Sequence, residues 1–136
     1  MGETNNSGSE GSAGQPVLDA ACMAELRALD PDGQAQLVKR VLATYQASLA
    51  KLVEQLRVAH ADAAWDQVSR VAHTLKSSSA SIGALALSGL CADIERLLRD
   101  GDSVSVVPLL ARFHVEVLRV DAAVGQSLQQ LEAAAP

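Results

Sequence analysis

The residue with the clearest chemical potential is His73, set in Val71-Ala72-His73-Thr74-Leu75-Lys76-Ser77-Ser78-Ser79-Ala80-Ser81-Ile82-Gly83. On a helix that advances about 100° per residue, Asp66, Ser69, Arg70, Lys76, Ser77 and Ala80 fall within about 60° of it. Ala64, Val68, Val71, Leu75 and Ile82 fall on the opposite side. The imidazole is therefore displayed to solvent between two cations, and everything beyond it on that stripe is small. With a reference pKa of about 6.5, imidazole is substantially neutral and nucleophilic around neutral pH. The chemistry that fits is acceptance of a phosphoryl group. Lys76, one turn ahead, has a long flexible stem and can bring a point charge to the group. Arg70, one turn behind, can assist, steer an acidic partner, or pair with Asp66. The hydroxyls of Ser69 and Ser77 can hydrogen-bond to phosphoryl oxygens or to the ring. The small residues Ser77, Ala80 and Ser81 leave room for the backbone and loops of a docking macromolecule.

Other chemistries fit less well. A metal site needs a second ligand one turn away, and the neighbours at three and four residues are Ser69, Arg70, Lys76 and Ser77. Two of the four are cations, so no metal is assigned. A hydrolase needs nucleophile, base and carboxylate gathered in a cleft, and a convex helix stripe does not provide one. His60 reads as a helix C-terminal residue favoured by the dipole, and His114 as a boundary residue beside Phe113. Trp65 reads as packing. Asp93 and Glu95 read as part of a solvated face. Ser79 lies towards the core, as a small residue with an internal hydrogen bond.

Presenting such a stripe requires a helix seated on a core, and the chain has the pattern for several. Asp19 can cap a short helix carrying Met23, Leu26 and Leu29, ended by the turn Asp30-Pro31-Asp32-Gly33. A long helix is expected from about Gly33 to His60, with Val38, Val41, Leu42, Tyr45, Leu49, Leu52, Val53 and Leu56 at three-and-four spacing. After a break at His60-Ala61-Asp62, with Asp62 as the cap, the His73 helix runs from about Ala63 to Ile82. Gly83 ends it or opens a tight turn. A fourth helix, about Ala84 to Arg99, uses Leu87, Leu90, Cys91, Ile94, Leu97 and Leu98. The last, about Ser103 to Leu131, carries Val106, Leu110, Phe113, Val117, Val120, Val124 and Leu128, with Pro108 tolerated in its first turns. Short connections imply an all-α fold: an up-down-up-down four-helix bundle with a short extra N-terminal helix across one end. The bundle is expected over residues 17–132. Residues 1–16 read as a disordered tail or linker and 133–136 as a frayed end.

Composition agrees. Aromatic residues are only 2% of the chain, so the core is aliphatic, as a helical bundle allows. A net charge of −5, with 11 Lys and Arg against 16 Asp and Glu, opposes general nucleic-acid binding. No apolar run approaches the ~18 residues of a membrane span, and the N-terminus does not read as a signal peptide. Cys22 and Cys91 have neither metal nor redox spacing, Cys91 falls on an apolar face, and a cytoplasmic, monomeric protein is expected.

The stretch Ala72-His73-Thr74-Leu75-Lys76-Ser77-Ser78-Ser79-Ala80-Ser81-Ile82-Gly83-Ala84 resembles the signature of histidine-containing phosphotransfer (HPt) domains of bacterial phosphorelays. His73, Lys76, Ser78 and Gly83 carry the resemblance, and Leu90-Cys91-Ala92-Asp93-Ile94-Glu95 is similar to the family's next helix. The resemblance implies a four-helix bundle whose exposed His73 takes a phosphoryl group from a receiver-domain aspartate and passes it to another receiver. It implies Lys76 as electrostatic support, and the residues expected at the docking face are Ser69, Arg70, Ser77, Ala80, Ser81 and Gly83. It also implies that Mg2+ belongs to the receiver, whether that receiver is a response regulator or part of a hybrid sensor kinase. The family commonly has Gly where Ser77 stands. No Gly-rich nucleotide loop is present, so no autokinase activity is expected. The alternative is a helical-bundle adaptor or dimerisation domain in which His73 is incidental.

Overall fold

The computed structural model describes residues 16–33 and 36–134; the expectations for the polar tail before Pro16 and for residues 135–136 lie outside the described residues. The described chain is all-helical: α1 (Ala20–Ala28), α2 (Leu37–Ala61), α3 (Trp65–Ser81), α4 (Leu85–Arg99) and α5 (Val106–Ala134). Each of the four long helices packs on the next in chain order, α5 returns to α2, and α1 meets α2. The apolar seams meet in one core, in which Leu42, Leu49, Leu56, Val68, Leu75, Leu87, Ile94, Leu110, Phe113 and Val120 are buried. An internal polar link in this core is the Tyr45 hydroxyl against Ser79 Oγ, 2.8 Å apart and buried. This is the internal hydrogen bond expected of Ser79.

Local signals account for most helix ends. Asp19 caps α1, its side chain accepting from Cys22 N–H. Pro108 lies in the first turn of α5, where a missing N–H costs nothing. Asp62 does not cap α3. It is the C-cap of α2, and the α3 N-cap position belongs to Ala64, which has no side-chain cap. The reason is the turn geometry. Ala63 takes the left-handed backbone at φ +53°, its N–H bonds His60 O, and Ala64 N–H bonds Ala59 O. That 6→1 and 5→2 pair consumes the loop before a cap can form. The last helix starts at Val106 rather than Ser103; residues 103–105 form a turn in which Asp102 accepts from Ser105 N–H and Val107 N–H bonds Val104 O.

Gly83 closes α3 in the same manner at φ +85°, with Gly83 N–H to Ala80 O and Ala84 N–H to Ser79 O. Its own carbonyl accepts from Asp19 N–H at 2.8 Å, which seats the start of α1 on the α3–α4 turn. A Cβ at this position would lie 2.8 Å from Asp19 N and 3.0 Å from Cys22 Cβ. Gly83→Ala should therefore destabilise the fold by about 2 kcal/mol, combining a left-handed L residue with an overpacked contact. Thermal unfolding by circular dichroism measures this. An unchanged midpoint would mean that α1 is not seated there.

Around the same pole, Pro16, Val17 and Met23 share a shallow depression with Ala123, Gln126 and Gln130 of α5. Lys39 near the start of α2 pairs with Glu132 near the end of α5.

His114 is half-buried beside Phe113, with ring centroids 5.1 Å apart. Burial, and then the nearby His60 and Arg57, push its pKa below the ordinary histidine value. Folding thus prefers the neutral ring. The associated stability is present above the unfolded value, about 6.5, and is lost as pH falls through the lower folded value. The melting temperature should fall on acidification from about pH 7 to 5, and His114→Gln should reduce that slope. A slope equal to the parent's would remove His114 as a contributor.

Candidate functional site

Seating α3 through Val68, Val71, Ala72 and Leu75 turns His73 outwards, and its side chain is 64% exposed. The helix is held in register against α4 by Ser88 Oγ, which donates to Lys76 O at 2.8 Å. That register brings Glu95 of α4 beneath the α3 stripe. Glu95 Oε2 lies 2.8 Å from His73 Nδ1, and Glu95 Oε1 accepts from Lys76 Nζ at 2.8 Å. The Glu95 side chain is only 15% exposed, and that of Lys76 35%.

Glu95 does not lie on a solvated face, as the sequence reading had it; it joins the two residues that reading placed at the site. Asp93 behaves as expected, half-exposed and paired with Arg96 at 2.9 Å. A signal for Glu95 was present. It stands four residues after Cys91 and three before Leu98, so it flanks the apolar seam of its own helix. What the sequence lacked was the α3–α4 register.

The carboxyl of Glu95 is held below the ordinary carboxylate range, first by the Lys76 hydrogen bond and then by that from His73, against the opposing effect of burial. An ionised carboxylate only accepts hydrogen bonds. His73 Nδ1 must therefore donate to it, which fixes the proton on Nδ1 and leaves the lone pair on Nε2. The accepting carboxylate also places a negative charge beside the ring. The site is thus a nucleophilic nitrogen with fixed tautomer and an ammonium group alongside.

The other predicted residues fall in three groups. Arg70, Ser77, Ala80 and Ser81 are exposed on the stripe, and Arg70 makes no ion pair with Asp66. Ser69 is half-buried at the edge of the stripe. Thr74 and Ser81 bond back to the carbonyls of Arg70 and Ser78. Gly83 is the exception. It is buried against Asp19 and Cys22, so it shapes the helix end and offers no docking surface. Among the described residues, no group of three or more His, Cys, Asp or Glu side chains could hold a metal ion, and no helix is long and apolar enough to cross a membrane.

The family model described as Hpt domain matches residues 40–134. No curated protein matches the chain. Among solved structures, the chain is similar to histidine-containing phosphotransfer protein B (HptB) from Pseudomonas aeruginosa PAO1, with a TM-score of 0.76 and 23% identity. The match covers 85% of this chain and 97% of that one, and at this identity it speaks for the fold.

Proposed function

Because the chain belongs to the Hpt domain family, and so is a histidine phosphotransfer intermediate of phosphorelays, we propose that its phosphoryl acceptor is His73 and its reacting atom Nε2. The observation that carries this is the bond between Nδ1 and Glu95, which leaves Nε2 as the free lone pair on the exposed face. A receiver-domain aspartyl phosphate is the donor. The Nε2 lone pair forms the N–P bond as the P–O bond to the aspartate breaks, and that electron pair stays with the aspartate carboxylate. The proton on Nδ1 remains, so the ring becomes cationic and faces the anionic Glu95. The reverse step, to the aspartate of a second receiver, uses the same groups. Lys76 supplies positive charge to the moving phosphoryl group, and catalysis otherwise consists of in-line positioning.

Arg70, Ser77, Ala80 and Ser81 form the docking stripe, with Ser69 at its edge, and Ser77 is small enough for close approach where the family commonly has Gly. Mg2+ is assigned to the receiver. Two cations flanking His73, Arg70 and Lys76, make a resident dication unfavourable. A monomer suffices, since His73, Lys76 and Glu95 come from one chain. The four long helices read as an up-down-up-down arrangement with α1 at one end. The cysteines Cys22 and Cys91 are unpaired, which fits a reducing, cytoplasmic setting.

The test is transfer of label from phosphorylated receivers, followed by peptide mapping. Acid-labile, alkali-stable label on the His73 peptide supports the proposal. Label elsewhere, or none from any cognate receiver, overturns it.

A further inference from the structure

Glu95 serves two groups at once, Lys76 on Oε1 and His73 on Oε2. In this resting arrangement the charge of Lys76 is already matched. A phosphoryl group on Nε2 brings up to about two negative charges to the site. As Lys76 turns towards it, Oε1 of a largely buried carboxylate loses its donor, and an ionised carboxylate left short of partners in such a place is costly.

A replacement stands one turn along α4. Arg99 Nη2 is 4.0 Å from Glu95 Oε2, outside hydrogen-bond range. Its side chain is 65% exposed and has no other ion pair among the described residues. The neighbouring Arg96 is committed to Asp93. The spacing Glu95 to Arg99 is i to i+4, the favourable order on a helix, and a guanidinium fork can address both oxygens of one carboxylate.

We propose that Arg99 is a positioning residue that closes on Glu95 when Lys76 engages the phosphoryl group, so that Glu95 keeps holding Nδ1 through the transfer. The inference rests on His73 as acceptor. It adds an exchange of cations on one carboxylate, with Lys76 as the resting partner and Arg99 as the partner in the phosphorylated state. No bond beyond those of the transfer is made or broken.

The experiment is a double-mutant cycle on single-turnover transfer from a phosphorylated receiver, using the parent chain, Arg99→Gln, Lys76→Ala and the double variant, with circular dichroism as the folding check. Arg99→Gln alone should slow transfer by about threefold, as fits an exposed charge pair. In Lys76→Ala, Arg99 already occupies Glu95. The double variant should then be slower than the product of the two single effects by about a further threefold. Arg99→Lys should restore most of the rate. Nitrogen NMR of the His73 ring should show Nδ1–H held in resting Arg99→Gln and released in the double variant. Simple multiplication of the two effects, an unaffected Arg99→Gln, or no rescue by lysine would each overturn the exchange. A parent chain that carries no label on His73 would instead overturn the acceptor assignment beneath it.

Discussion

His73→Gln is expected to take up no phosphoryl label from any phosphorylated receiver, while its helicity and melting temperature stay with those of the parent chain. The two halves of this result have separate causes. Glutamine supplies an amide in place of the ring and has no nucleophilic nitrogen lone pair, so the N–P bond cannot form. The fold is spared because the His73 side chain is 64% exposed and takes no part in the core. Surface changes of this kind usually stay within about 0.5 kcal/mol. Residual acid-labile label in the variant would place the acceptor elsewhere. A large loss of helicity would mean that the bond to Glu95 holds α3 and α4 together more than their apolar seam does.

Glu95→Ala is the second large effect. It should lower the transfer rate by about 100-fold, the upper range for removing a group that orients a reacting imidazole. Three consequences combine. The ring is free to turn and to place its proton on either nitrogen. The cationic ring formed during transfer loses its counter-charge. Lys76 loses the carboxylate that holds its ammonium group next to the imidazole. Glu95→Gln keeps an acceptor oxygen without the charge and should fall between the two. Single-turnover rates measure the first effect, and nitrogen shifts of the His73 ring measure the tautomer. An unchanged rate with an unchanged tautomer would reduce Glu95 to a clamp for Lys76. Because Glu95 is held below the ordinary carboxylate range, it remains ionised wherever the imidazole is neutral. The pH profile of the parent chain should therefore show no limb from Glu95 around neutral pH.

What the sequence made legible is what depends on one helix at a time. The outward direction of His73 follows from the apolar residues opposite it, and the α1 cap follows from Asp19 being a short acidic side chain just before an apolar-periodic run. Seams such as Leu87, Cys91 and Ile94 read correctly because burial and helical period coincide there. Glu95 was misread because its partners are 22 and 19 residues away, and the register that joins them is set by side chains such as Ser88. Asp62 was misread because two backbone hydrogen bonds, invisible in residue types, claim the loop for the end of α2. Gly83 was correctly read as a helix end but wrongly given to the docking face. Nothing local to it announces that α1 will lie against it.

The seating of α1 on the α3–α4 turn also has a consequence for tethering. The described chain enters at Pro16 beside the last turns of α5 and leaves at Ala134, close to where α2 begins. Both points are at the pole marked by Gly83, which is ten residues along from His73, about 15 Å of helix. A flexible linker of about ten residues has a root-mean-square span of about 17 Å. A receiver joined to either side through a linker of roughly that length would meet the imidazole at high effective concentration. Much longer linkers would dilute that advantage, so the rate of intramolecular transfer should decline smoothly with linker length from either attachment point.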